Sequence, residues 1–132
     1  MNKRINFNLL ASIAICTIIF SNCKKEEEDK SAPVVNITLP VSTQMYNSGD
    51  TVKIKGTVTD NEMHEMLIEI RNDANDSILY SETPSVHDLS SYVINTFWKS
   101  KVSTHTNATI KVSVEDHAGN NGTATAKIQI MP

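Results

Sequence analysis

Apolar and polar residues alternate along most of the chain from Pro33 onward, and this period of two predicts strands with one buried face. Val52, Ile54 and Val58 share the apolar face of one such segment, and Gly56 takes the buried position between them. A glycine in that position predicts a bulge or a close neighbouring backbone. The same alternation predicts further strands at 35–39, 66–70, 78–80, 108–115 and 124–130.

Turn-forming residues separate these segments, at 48–50, 72–77 and 117–122. The last two strands are close enough in sequence to form a hairpin. About seven short strands in roughly 100 residues, each with one apolar face, predict an antiparallel β-sandwich over residues 34–132.

The sequence of the stretch Val86–His105 is compatible with either a helix or a strand. Leu89, Val93 and Phe97 have the spacing of one face of a helix. The residues around them are mostly of strand-favouring types. We interpret Tyr92–Lys99 as a strand.

The start of the chain predicts an export signal rather than part of the fold. Lys3 and Arg4 precede an apolar run over residues 9–20. This run is too short to span a bilayer core, which needs roughly 20 apolar residues, and it has the length of the hydrophobic region of a secretory signal. Residues 1–22 are therefore predicted to be a signal peptide.

The end of that signal, Phe20-Ser21-Asn22-Cys23, resembles a lipobox, the site where signal peptidase II cuts before a cysteine that carries diacylglycerol. The resemblance implies that Cys23 is the lipidation site and that the bilayer is a partner of the chain. Residues 23–33 then form a charged tether between the lipid and the domain. The alternative is an ordinary signal peptide with an incidental cysteine.

An acidic run, Glu26–Asp29, follows the predicted lipidation site. It suits a solvated linker that holds the domain away from the membrane. It also resembles the acidic export signal of Gram-negative surface lipoproteins, which implies a cell-surface position on the outer membrane. A periplasm-facing position is the alternative.

The charge and cysteine content narrow the possible partners and bonds. The formal net charge of −3 becomes −5 when Lys3 and Arg4 leave with the signal. Acidic and basic residues are interspersed, so we expect no nucleic-acid partner. Cys16 leaves with the signal and Cys23 is acylated, so no disulfide is expected and the domain must be stabilised by burial.

The turn Asp116-His117-Ala118-Gly119-Asn120 carries a D-x-x-G-N pattern that is found in many bacterial immunoglobulin-like (Ig-like) and fibronectin-III-like domains. Together with the lipobox and tether, it resembles a family of Gram-negative lipoproteins with a single Ig-like domain of unknown function. The resemblance implies an Ig-like or fibronectin-III-like sandwich. Antibody-type recognition is not implied, because Trp98 lacks the flanking cysteines of antibody domains.

Candidate metal ligands are weak in the sequence. Oxygen-bearing side chains that could bind calcium cluster at two turns, as Asp60, Glu62, Asp116 and Asn120. Turn chemistry accounts for the same residues, so no metal is expected. The histidines, which are His64, His87, His105 and His117, share no ligand-like spacing and are expected to be solvated loop residues.

Catalysis has no support in the sequence, which contains no nucleophile elbow and no phosphate-binding loop. We therefore expect a protein that is not an enzyme and that needs no cofactor. Two tripeptides around Thr51 and Ser77 resemble sites of a bacterial O-glycosylation system, which implies that these two hydroxyls are possible glycosylation sites.

The function expected from these observations is to present a binding module outside the cytoplasm. A membrane-anchored extracytoplasmic lipoprotein would present an Ig-like module that binds a protein or glycan ligand or assembles with an outer-membrane complex. Tyr92, Phe97 and Trp98 are candidate contact aromatics where they face outward, and core packing is their alternative role. The rival function is a structural spacer or accessory subunit with no ligand of its own.

Overall fold

The computed structural model describes residues 30–132, and these form a two-sheet β-sandwich. The predicted signal peptide, Cys23 and the acidic run lie outside the described residues. Eight strands are present: β1 Val34–Leu39, β2 Gln44–Asn47, β3 Thr51–Thr59, β4 Met63–Asn72, β5 Ile78–Glu82, β6 Ser91–Lys99, β7 Thr106–Asp116 and β8 Asn121–Met131. Within residues 30–132 there is no helix that could cross a membrane.

The strands divide into a three-stranded sheet and a five-stranded sheet. The smaller sheet has the order β1-β3-β6, and the larger has the order β2-β8-β7-β4-β5. All pairs are antiparallel except β2 with β8, which is parallel. This architecture confirms the predicted Ig-like and fibronectin-III-like sandwich.

The core lies between the sheets because each long strand turns its alternate apolar residues inward. In β3 every second residue is buried, and β7 and β8 show the same period. The fully buried side chains are mostly β-branched, a type that packs well on a pleated surface. They include Ile54, Ile68, Ile110, Val112 and Ile128.

Gly56 allows β1 to approach β3 closely, as its place in the pattern predicts. It lies opposite Ile37, and a Cβ at Gly56 would overlap the backbone carbonyl of Asn36. Any larger residue would therefore push β1 away from the core.

The structure adds one strand to the sequence prediction and agrees with the strand interpreted at Tyr92–Lys99. β2 is an additional strand of four residues, too short and too exposed to show an alternating pattern. The open stretch Val86–His105 is resolved as β6, a strand over Ser91–Lys99, and Leu89 lies before it in an irregular connection.

One polar contact joins the two sheets beside the core. The Tyr80 hydroxyl on β5 donates to Glu82 at 2.6 Å and lies 3.0 Å from the Thr96 hydroxyl on β6. Burial raises the pKa of Tyr80, and the hydrogen bond to Glu82 raises it further. The phenol therefore stays neutral and holds β5 against β6.

Substitution of Val112 tests the position of the core, because this side chain is completely buried in the middle of β7. Val112→Asp places a carboxylate there without a partner and should cost several kcal/mol of unfolding free energy, enough to unfold much of the domain. Lys111→Gln, at an exposed position one residue away, should change the unfolding free energy by only about 0.5 kcal/mol. Urea unfolding of residues 30–132 measures both values, and equal midpoints would show that the core is misplaced.

Candidate metal centre

Four segments meet at one end of the sandwich, which we call the entry end because the chain enters the domain there. They are residues 31–33, the β3–β4 turn, the β5–β6 connection and the β7–β8 turn. Val34 pairs with Thr59, and Thr59 also pairs with Ser91, so the first three segments are adjacent. Met63 pairs with Asp116, which adds the fourth.

Three histidines come together at the entry end, one at the start of β4, one in the β5–β6 connection and one in the β7–β8 turn. One ring nitrogen each of His64, His87 and His117 lies within 4.8 Å of the others. The ring centroids are 4.7–5.2 Å apart. We call this group the histidine cluster. It is separated by 23 and 30 residues along the chain, so only the tertiary fold assembles it.

A β-bulge positions His64. The register between β4 and β7 shifts between Met63 and Glu65, so His64 is the extra residue of β4. The bulge keeps both Met63 and Met66 in the core although they are three residues apart. It thereby leaves His64 on the rim of the sandwich, which is a common use of bulges near functional sites.

Backbone hydrogen bonds hold His87 beside the start of β4. The Met63 N–H donates to the carbonyl of Leu89 at 3.0 Å, and the Asp88 N–H donates to the carbonyl of Met63 at 2.9 Å. On the N-terminal side of His87, Val86 is buried in the core and anchors the connection. Asp88 has a positive φ of 63°, a conformation that aspartate tolerates better than most residues.

The β7–β8 turn presents His117. The buried Asp116 carboxylate accepts hydrogen bonds from the backbone N–H and the side-chain amide of Asn120, both at 2.7 Å. Gly119 takes the positive φ of 83° that the turn requires. The His117 N–H donates to the carbonyl of Glu62 at 3.3 Å, which joins this turn to the β3–β4 turn.

Carboxylates surround the histidine cluster. Asp88 Oδ1 lies 3.0 Å from Nε2 of His117 and 3.5 Å from Nε2 of His87. Glu62, Asp88 and His117 form a second group whose ligand atoms lie within 4.8 Å of one another. The entry end therefore combines imidazole nitrogens with negative charge, which favours a bound cation.

Nδ1 of His64 is buried and has no hydrogen-bond partner among residues 30–132. Buried polar atoms normally have a partner, and those without one call for an explanation such as an ion. A metal ion bound to His64 through Nδ1 would give this nitrogen a partner.

The donor set suits a divalent transition metal rather than calcium. Imidazole is a common ligand of zinc and copper, whereas calcium takes six to eight oxygen ligands. A tetrahedral zinc ion with Zn–N bonds of about 2.0 Å needs its nitrogens roughly 3.3 Å apart. The ring nitrogens lie up to 4.8 Å apart, so the partly exposed rings would have to rotate toward one another to bind such an ion. Met63 and Met66 are buried in the core, so thioether sulfur is not part of the site.

The oxygen ligands considered from sequence have different positions. Glu62 borders the histidine cluster. The Asp60 carboxylate accepts a hydrogen bond from the N–H of Glu62 at 3.1 Å and so orders the β3–β4 turn. Asp116 and Asn120 bind each other within the β7–β8 turn.

The candidate contact aromatics are also separated by the structure. Tyr92 and Trp98 are partly buried and pack against the core. Phe97 points outward and is 67% exposed. The Thr51 and Ser77 positions are exposed, and Thr51 and the Asn72–Ser77 loop lie at the end opposite the histidine cluster.

Sequence spacing does not reveal the histidine cluster, but one signal points toward it. The apolar positions 63, 66, 68 and 70 contain one step of three, which marks a bulge at His64 or Glu65. Pairing Met66 with Val114 then brings His64 near His117. No pattern places His87, because it lies in a connection between the two sheets.

Comparisons with known proteins agree with the fold. No protein-family profile matches the chain, and no curated protein matches it in sequence. An engineered protein of known structure is similar with a TM-score of 0.51 and 12% identity over 79% of this chain and 21% of that one. The chain thus spans about a fifth of the length of that protein.

Two natural structures are similar at lower scores. The fibronectin(III)-like modules of CbhA from Clostridium thermocellum have a TM-score of 0.45 and 19% identity, covering 76% of this chain and 46% of that one. A CARDB domain from Pyrococcus furiosus, solved in complex with di-metal ions, has a TM-score of 0.46 and 11% identity, covering 76% and 91%.

Substitution of Asp116 tests whether its hydrogen bonds stabilise the turn that presents His117. Asp116→Ala removes a buried acceptor of two short hydrogen bonds and should lower the unfolding free energy by about 1–3 kcal/mol. Glu115→Ala, at the exposed neighbouring position, should leave it within about 0.5 kcal/mol. Urea unfolding of residues 30–132 gives the comparison. Equal losses in the two variants would show that Asp116 does not hold the turn.

Proposed function

We propose that this chain is a lipid-anchored, extracytoplasmic protein whose Ig-like domain binds a divalent transition-metal ion through His64, His87 and His117. The histidine cluster is the observation that carries the proposal. Three imidazoles supply three of the four ligands of a tetrahedral site and leave one position open for water or a further donor. Binding rather than catalysis is the proposed role.

The surroundings of the histidine cluster support a binding role. His87 and His117 are exposed and contribute little to the core, so the stability of the sandwich does not require them. Each lies on a segment that hydrogen bonds hold in place. A site whose ligands are already placed loses less entropy when the ion binds.

Asp88 has a positioning role in this proposal. In the proposed site Asp88 keeps its contact with Nε2 of His117, and the ion binds Nδ1 of that ring. Carboxylates that bind the outer nitrogen of a metal-ligating histidine orient the ring and raise its basicity. Asp88→Ala should therefore weaken binding by a smaller factor than loss of a histidine.

The tether that would carry the proposed anchor joins the domain at the entry end, beside the histidine cluster. The buried Pro33 packs against Gly122, and the Asn120 amide donates to the carbonyl of Ser31 at 3.4 Å. Seven residues lie between Cys23 and Ser31, a reach of at most roughly 30 Å when extended. A lipid on Cys23 would thus keep the metal site close to the bilayer.

The proposed location follows from the N-terminal residues. Lipidation at Cys23 with the acidic run Glu26–Asp29 supports the outer membrane and its outer surface, and the periplasmic side is the alternative. The ligand proposed is the metal ion, in place of the protein or glycan ligand expected from the sequence.

Metal binding is measured by calorimetric titration of residues 30–132, which contain no cysteine, with Zn²⁺ and Cu²⁺. One ion should bind per chain. Loss of an outer-sphere partner typically weakens binding about 10–100-fold, so each of His64→Ala, His87→Ala and His117→Ala should weaken it by more than about 100-fold. When the free ion concentration is about 100 times the dissociation constant, the bound ion should raise the unfolding free energy by roughly 2.7 kcal/mol.

His105→Ala is the matched control. His105 lies before β7 at the opposite end of the sandwich, so its loss should leave the affinity unchanged. Ca²⁺ should give no heat of binding. Unchanged affinity in the three cluster variants would contradict the metal site, and absence of any binding would favour the spacer role.

Anchoring is tested separately with the full chain. Cys23→Ala should release the domain from membranes or leave an uncleaved precursor, because stable anchoring depends on acyl chains that contribute about 0.8 kcal/mol per buried CH₂. Cys16→Ala, within the signal, is the control and should remain anchored. Equal processing and equal membrane association of the Cys23→Ala variant and the unchanged chain would rule out lipidation at Cys23.

A further inference from the structure

The four edge strands of the sandwich differ in how they are protected. Unpaired strand edges invite pairing with other chains, and natural proteins limit this with short strands, bulges, proline or charge. Strands β2 and β5 have four and five residues. The register of β1 shifts before Leu39, and Pro40 follows it directly.

The remaining edge strand, β6, is the least protected of the four. It has nine residues, pairs with β3 along its whole length without a register shift, and contains no proline. Its only charged residue is Lys99 at the end. Among residues 30–132, no strand is paired with its other side.

Two large apolar side chains of β6 are exposed beside this free edge. Val93 is 71% exposed and Phe97 is 67% exposed, both on the outer face of the smaller sheet. They lie two residues to either side of Asn95, so the apolar positions are symmetric about the middle of the strand. A strand with this symmetry is complementary to itself.

We propose that β6 is a homodimer interface, at which it pairs with β6 of a second copy of this chain in antiparallel, two-fold symmetric fashion. Side chains of paired strands must keep to the same face, which restricts the possible registers. The register that pairs all nine residues places Asn95 opposite Asn95 of the second copy. Val93 then faces Phe97 of the second copy, an aromatic and β-branched pair of the kind that stabilises sheets. The two smaller sheets become one sheet of six strands.

The distribution of charge fits a second copy as the partner. In this register Lys99 lies opposite Ser91, so no like charges meet at the interface. Lys53 and Lys55 lie on β3, one strand further in. The two β3 strands would be three strand spacings apart, about 14 Å. That exceeds the Debye length of about 8 Å at physiological salt, so their repulsion is screened.

Cross-linking of the purified full chain tests the register. Asn95→Cys should form a disulfide-linked dimer under mild oxidation, because opposed Cα atoms in an antiparallel pair are about 4.5–5.5 Å apart, within disulfide range. Lys55→Cys is the matched control, directly opposite Asn95 on β3. It should give only the background of the unchanged chain, since its two copies would be too far apart. Equal cross-linking of the two variants would overturn the proposal.

Charge variants test the interface without disturbing the core. Val93→Lys with Phe97→Lys places like charges opposite each other and should raise the dimer dissociation constant at least about tenfold. Val93→Lys with Phe97→Glu places opposite charges there and should stay within a few-fold of the unchanged chain. Sedimentation velocity of the full chain in a mild detergent measures both. A monomeric unchanged chain, or equal dissociation constants for the two double variants, would overturn the proposal.

This interface is independent of the metal site. Val93 and Phe97 lie on the sheet face, whereas the histidine cluster lies at the entry end. The charge variants should therefore bind Zn²⁺ with unchanged affinity if the metal proposal holds, and either proposal can fail without the other.

Discussion

The pairing of β4 with β7 is the constraint on which both the core and the histidine cluster depend. These two strands form the centre of the larger sheet, and their inward residues, among them Ile68, Ile70, Ile110 and Val112, are completely or almost completely buried. Burial of this kind contributes most of the stability of a domain that has no disulfide among residues 30–132. The same register brings the start of β4 beside the end of β7.

The bulge in this pairing keeps two methionines in the core and places a histidine of the histidine cluster on the rim. Met63 and Met66 both fill the core only because one extra residue separates their positions on β4. That extra residue is His64, which therefore lies on the rim beside His117. The β5–β6 connection adds His87 because Val86 is drawn into the core and Asp88 is hydrogen bonded to Met63. The imidazoles are thus placed by the burial of their neighbours.

The surface divides into parts with separate proposed roles. The entry end carries the histidine cluster and the connection toward Cys23, whereas the free edge of β6 carries Val93 and Phe97. Rigid sandwiches commonly present binding groups on end loops and pairing groups on strand edges. A two-fold pairing through β6 would give one assembly with two metal sites.

The alternation of residues by itself determined the sandwich, because period two with one apolar face leaves few ways to bury that face. It predicted seven of the eight strands and the close approach at Gly56, and it missed β2, which is short and exposed. Only the tertiary structure decided that Phe97 faces outward while Trp98 packs inward, since both suit a strand equally well. It alone brought His64, His87 and His117 together, because strand pairing and the crossing between sheets join positions that no local spacing relates.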